Sequence, residues 1–195
     1  ANINMKRNTL TVLAAALLAL PGAVVLTATC VLTPALADRI GQRRALLTCH
    51  IAMAAGLALL LATRVTEGVG WFMTSTVVAG LGYGISFSLV ADTAVGAVPT
   101  ERAGAAGAIA ETSNEVGNAL GIALLGSTAT FVFRLRGPGV APTLGETLDV
   151  GAASSAINQA KEAFVDGFHL AVALAVLLCA GLGTLAFRWL PHPGE

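Results

Sequence analysis

Charge is what this chain has least of. Only 11% of its 195 residues are charged while 55% are hydrophobic, where an ordinary soluble domain carries about 25% charged residues. That scarcity excludes a typical soluble globular domain. Eleven basic and eleven acidic residues cancel, so the basic footprint of a nucleic-acid-binding protein is missing and no nucleic-acid partner is expected. Cysteine is sparse as well. Cys30, Cys49 and Cys179 sit far apart inside apolar runs; without the close spacing of a zinc or redox motif they read as small buried thiols. No Ser-His-Asp arrangement, metal cluster or phosphate loop stands out, so neither an enzyme nor a bound cofactor is expected. No small-residue cleavage site follows the first apolar run, so a cleavable signal peptide is not expected either.

Long apolar runs are what the chain does have. They exceed the roughly 20 residues that cross a bilayer as a helix, which predicts an all-α polytopic membrane protein. Five spans can be drawn, at residues 9–37, 45–65, 71–98, 103–133 and 164–190. The first contains Pro21-Gly22, a site for a kink that neighbouring helices can satisfy inside a membrane. The turn Asp38-Arg39-Ile40-Gly41-Gln42-Arg43-Arg44 follows, with Gly41 permitting a tight reversal and Asp38 able to cap a helix start. The third span opens on Trp71-Phe72, an aromatic pair suited to the membrane interface. Its glycines Gly80 and Gly84 have GxxxG spacing and are expected to bring a neighbouring helix close.

Residues 134–163 form the one long polar stretch. Pro138, Pro142 and several glycines make its first half irregular, and residues 152–164 have few breakers and suit a short surface helix. Basic residues divide five to six between the two sides of the membrane, which leaves the orientation open.

The fourth span carries polar side chains where lipid-facing residues are expected. Glu111 and Glu115 are one turn apart, as are Asn114 and Asn118, so each pair shares a helix face. With Gly104, Gly107 and Gly121 they make a small and polar stripe. A carboxylate near the bilayer centre costs about 2.5–3.5 kcal/mol on insertion scales, so such a stripe points into protein or a water-filled cavity. At 1.5 Å per residue from Ala103, Glu111 lies roughly 12 Å deep and Glu115 roughly 18 Å, near the midplane of a core about 30 Å thick. Asp92, on the third span, lies roughly 10 Å from the same end. Two carboxylates one turn apart in a low-dielectric site cannot both ionise cheaply. They suit an exchangeable proton, and a carboxylate also suits a lipophilic cation, because it supplies charge without demanding directional hydrogen bonds. The bland alternative is that these acids only pack helices.

Three segments resemble a known family. Leu36-Ala37-Asp38-Arg39-Ile40-Gly41-Gln42-Arg43-Arg44 is similar to the cytoplasmic loop motif of the major facilitator superfamily, although Pro34 stands where that motif usually begins with glycine. Pro99-Thr100-Glu101-Arg102-Ala103-Gly104, with Ala110-Glu111-Thr112-Ser113-Asn114-Glu115-Val116-Gly117 and Ala119-Leu120-Gly121, resembles the penultimate helix of the fourteen-helix drug:proton antiporters, in the branch that exports quaternary ammonium compounds and dyes. Ala163-Phe164-Val165-Asp166-Gly167-Phe168 resembles the entry to that branch's last helix.

The resemblance implies a cytoplasmic side for the loop motif (Asp38, Arg39, Gly41, Arg43, Arg44) and an extracellular loop at 134–163, in the bacterial cytoplasmic membrane. It implies proton coupling and substrate binding by Glu111, Asp92 and Glu115, cavity-facing Asn114 and Asn118, and packing at Gly80, Gly84, Gly117 and Gly121. It also implies that five spans are most of one half of the fold, that residues 1–8 are the start of a fragment, and that a missing N-terminal half is a partner alongside the lipid bilayer, protons and a cationic substrate. Two alternatives stand beside that reading: an exporter of an uncharged antibiotic or metabolite, and a non-transporting membrane assembly subunit.

Overall fold

The computed structural model describes residues 2–66 and 68–189, with side-chain surroundings for 16–66 and 68–188. The expected close of the last span at Leu190, the Pro191-His192-Pro193 turn and Glu67 fall outside the described residues. The elements are α1 (Asn2–Ile40), α2 (Gln42–Leu59) continued by a 3₁₀ turn at Leu60–Ala62, α3 (Val69–Gly96), a 3₁₀ turn at Thr100–Arg102, α4 (Ala103–Arg136), a short α5 (Leu144–Asp149) and α6 (Ser154–Trp189). Five of these helices are long and apolar enough to cross a membrane. The chain is an all-α, multi-pass membrane protein.

Lipid leaves a backbone no water to bond to, so spans close their hydrogen bonds internally. Hydroxyls follow the same rule. Thr29 donates to the Val25 carbonyl at 2.7 Å, the fully buried Thr33 to the Thr29 carbonyl at 2.7 Å, and Thr112 to the Ala108 carbonyl at 2.7 Å. Each turns its polar tip back onto its own helix, leaving an apolar outer surface that includes Val31, Ile122 and Leu177.

The reversal between α1 and α2 takes a single residue. Gly41 has φ +85°, a conformation that side-chain-bearing residues rarely adopt. Its N–H donates to Ala37 O at 2.8 Å and its carbonyl accepts from Ala45 N at 3.0 Å. The expected polar turn at 38–44 is therefore helical on both sides of Gly41. α1 also runs through Pro21 and Pro34 as one helix.

α3 is the centre of the bundle, and its glycines assign its faces. A Cβ on Gly80 would lie 2.7 Å from the Gly22 carbonyl oxygen, and one on Gly84 2.5 Å from the Leu26 carbonyl oxygen, both on α1. A Cβ on Gly82 would lie 2.5 Å from the Cys49 carbonyl oxygen on α2. Small residues let backbones touch where lipid offers no hydrophobic drive for association. Ala45, Cys49, Ile85 and Leu89 form a buried cluster where α2 meets α3 near the Gly41 end. The side of α3 turned from α1 and α2 faces α4.

α4 leans on α6 at the opposite end. Phe133 packs with Ala160 and Ala163, a Cβ on Gly167 would lie 2.6 Å from the Ala129 carbonyl oxygen, and Arg136 pairs with Asp166 at 2.6 Å. Here the structure departs from the expected boundaries. The polar stretch drawn at 134–163 shrinks to 137–153, because the surface helix expected at 152–164 joins the last span as one continuous α6. No proline or glycine separates Ser154 from Phe164, so nothing ends the helix there. Within the shortened connection, Thr143 caps α5 by accepting from Glu146 N at 3.2 Å.

Candidate functional site

A pocket of about 130 Å³ opens between α3 and α4, lined on α3 by Tyr83, Ser86, Phe87 and Val90 and on α4 by Gly107, Ala110, Glu111 and Asn114. Its position follows from the packing just described. With glycines pressed against α1 and α2, the residues one position on, at i and i+4 from Tyr83, turn toward α4. Gly107 sits one turn before Glu111 and leaves open space beside it: a Cβ there would meet nothing within 4 Å. The site therefore joins one carboxylate, one amide and one hydroxyl to two aromatic rings. The Tyr83 and Phe87 ring centroids are 6.3 Å apart with planes inclined by 23°.

The structure separates the acidic residues expected to act together. Glu111 and Asn114 line the pocket; Glu115 and Asn118 do not, and lie exposed on the outer surface of α4. Asp92 is exposed and absent from the pocket lining. It is nine residues from Tyr83, about 180° around the helix at 3.6 residues per turn. Depth along the axis puts Asp92 and Glu111 level, but of the two only Glu111 lines the pocket, which Ala91 and Val95 on either side of Asp92 also border.

Gly117 and Gly121 likewise have no partner among the described residues. Both were expected to pack helices, but a Cβ on either meets nothing within 4 Å among the described residues. The α4–α6 contacts named above lie near Ala129–Arg136, beyond Gly117 and Gly121. Gly80 and Gly84, by contrast, are in backbone contact with α1.

The loop-motif residues lie at the other side of the bundle. Arg43 donates from Nη2 to the Phe187 carbonyl oxygen at 2.8 Å, with its guanidinium 4.0 Å from the centre of the Phe187 ring. It thereby satisfies one of the last carbonyls of α6, where positive charge is favoured. Gln42 Nε2 donates to Thr93 Oγ1 near the end of α3. Asp38, Arg39 and Arg44 are exposed. At the far end of α2, Thr63 Oγ1 and His169 Nε2 lie 3.3 Å apart, so His169 joins α6 to the 3₁₀ turn, and His50 packs on Gly183 of α6.

Tyr83, Ser86 and Phe87 are the pocket residues that reading for charge passes over. The signal was the i, i+4 aromatic spacing beside the glycine run, whose faces only become distinguishable once α1 and α2 are in place.

Comparison with known proteins agrees with this architecture. The family model of the Major Facilitator Superfamily matches residues 3–122. A multidrug efflux pump of Mycolicibacterium smegmatis, LfrA, is 30% identical over 196 residues, covering 90% of this chain. The chain spans 39% of the length of that relative. From a match that covers α1 to α3 and most of the pocket-lining part of α4, the chain belongs to the Major Facilitator Superfamily.

Proposed function

We propose that the chain is the C-terminal part of a proton-coupled multidrug efflux antiporter for lipophilic cations, with Glu111 as the coupling residue. The observation that carries this reading is the position of Glu111: a lone carboxylate on the wall of a membrane pocket, beside an amide and two aromatic rings. The multidrug efflux pump that aligns with most of the chain supports multidrug efflux.

The chemistry needs one charge. Ionised, Glu111 attracts a cation that has left water for a low-dielectric site, where Coulomb attraction is far stronger than in bulk. Protonated, it offers that cation nothing but a neutral acid, and the cation leaves. Proton and drug thus compete for a single negative charge, and alternation of the two across the membrane is antiport. Asn114 lines the same pocket and can serve the carboxyl in either state, because an amide both donates and accepts.

Glu115 and Asn118 take a different part. Exposed to lipid they would be costly, so the remainder of the transporter covers them, and the substrate path runs between that part and α4, near the midplane. The Gly41 end is cytoplasmic and the α5 end is outside in this reading. Replacing Glu111 with Gln in the full-length protein abolishes ethidium efflux at unchanged expression; ordinary efflux by that variant overturns the assignment.

A further inference from the structure

The pocket contains a second recognition element beside the carboxylate. Tyr83 is the chain's single tyrosine, and it shares the pocket wall with Phe87 one turn on. The two residues are 36% and 44% exposed and both line the pocket, so the pair covers itself only in part and leaves surface open to the cavity. An aromatic face is electronegative and attracts a cation placed over it, most strongly when water is excluded. A leucine-like residue would fill the same space without that attraction.

Size adds a constraint. About 130 Å³ holds a compact head group and falls short of the roughly 300–1,000 Å³ that encloses a drug-sized ligand. The adjoining groove is larger and open, about 690 Å³. It runs toward Arg102 along Val98, Ala106 and Ile109, and shares Val90, Ala110 and Asn114 with the inner pocket. The charged part of a ligand and its apolar part therefore have separate places.

We infer that Tyr83 and Phe87 form an aromatic wall that selects the cationic head group, held in the inner pocket against Glu111, with the apolar remainder of the ligand in the groove toward Arg102. This rests on the pocket being the transport site. Glu111 supplies the charge that a proton can replace. The rings supply attraction that no proton removes, so they set which cations enter rather than whether transport is coupled.

The test is equilibrium binding of radiolabelled benzyltrimethylammonium to the purified full-length protein, with its neutral isostere neopentylbenzene as competitor. The isostere has carbon in place of nitrogen and the same shape. Tyr83→Leu and Phe87→Leu each weaken benzyltrimethylammonium about tenfold, leave neopentylbenzene within about threefold, and keep ligand-induced proton release at saturating cation; Tyr83→Phe binds as wild type. Equal loss for both ligands, or cation affinity within twofold of wild type in both leucine variants, overturns the inference. A second measurement leaves the rings in place. In Glu111→Gln a preference of a few fold for the cation over its isostere survives, and a ratio of one overturns the inference. Wild-type proton release by Glu111→Gln would instead defeat the coupling assignment, whatever the rings do.

Discussion

Glu111 on α4 and Asp92 on α3 are close in depth by residue count, yet only Glu111 lines the pocket between their helices. The carboxylates of a transporter are often treated as interchangeable members of one cluster. Here their positions differ, and so do their expected effects. Asp92→Asn keeps benzyltrimethylammonium affinity within about threefold, and Glu111→Gln lowers it by more than tenfold, since a contact with a charged group is worth about 1.5–3 kcal/mol. The same binding assay reads both, and an equal loss in the two variants contradicts a role for the pocket-lining carboxylate alone.

Glycine positions allow a test of the packing. Gly84→Ala drives a Cβ to 2.5 Å from the Leu26 carbonyl oxygen, where backbone must move, at about 1–3 kcal/mol. Gly104→Ala meets nothing within 4 Å and replaces glycine by a better helix former, so it is neutral or stabilising by up to about 1 kcal/mol. Thermal unfolding of the purified full-length protein separates them: the midpoint falls by several degrees for Gly84→Ala only.

Arg43 holds two helices by one residue. Its bond to the Phe187 carbonyl oxygen and its place over the Phe187 ring use the planar, forked shape of guanidinium, which lysine lacks. Arg43→Ala destabilises by about 1.5–3 kcal/mol, and Arg43→Lys recovers little of it. Phe187→Leu removes the ring but keeps the backbone acceptor, so it loses only about 0.5–1 kcal/mol. Unfolding midpoints that rank Phe187→Leu below Arg43→Ala refute this division.

The Arg136–Asp166 pair is short at 2.6 Å but solvated, with side chains 66% and 46% exposed. Exposed ion pairs contribute about 0–1 kcal/mol. A double-mutant cycle with Arg136→Gln and Asp166→Asn gives a coupling below about 1 kcal/mol that shrinks further in high salt. The contact of Gly167 with the Ala129 carbonyl, which has no charge to screen, carries more of the α4–α6 attachment.

Much of this architecture was legible in the residues themselves. Five apolar runs and the Gly80–Gly84 spacing depend on length and period, which sequence carries directly. The position of Glu111 on the pocket-facing stripe followed from counting turns along the fourth span. What counting cannot supply is the direction a helix face takes once its neighbours arrive. Asp92 does not line the pocket although its neighbours Ala91 and Val95 do, and Gly117 and Gly121 meet no helix among the described residues. The early start of α6 was legible only as a separate surface helix at 152–164, although a helix that emerges from the membrane can carry charge without ending. The Arg43–Phe187 contact joins residues 144 apart and has no local signature at all.

The account turns on whether Glu111 exchanges its proton for the ligand. The direct measurement is proton release into weakly buffered detergent solution when benzyltrimethylammonium is added to the purified full-length protein. Wild type releases protons on binding, and Glu111→Gln releases none at concentrations that saturate its remaining binding. Release of the wild-type amount by Glu111→Gln would contradict the account.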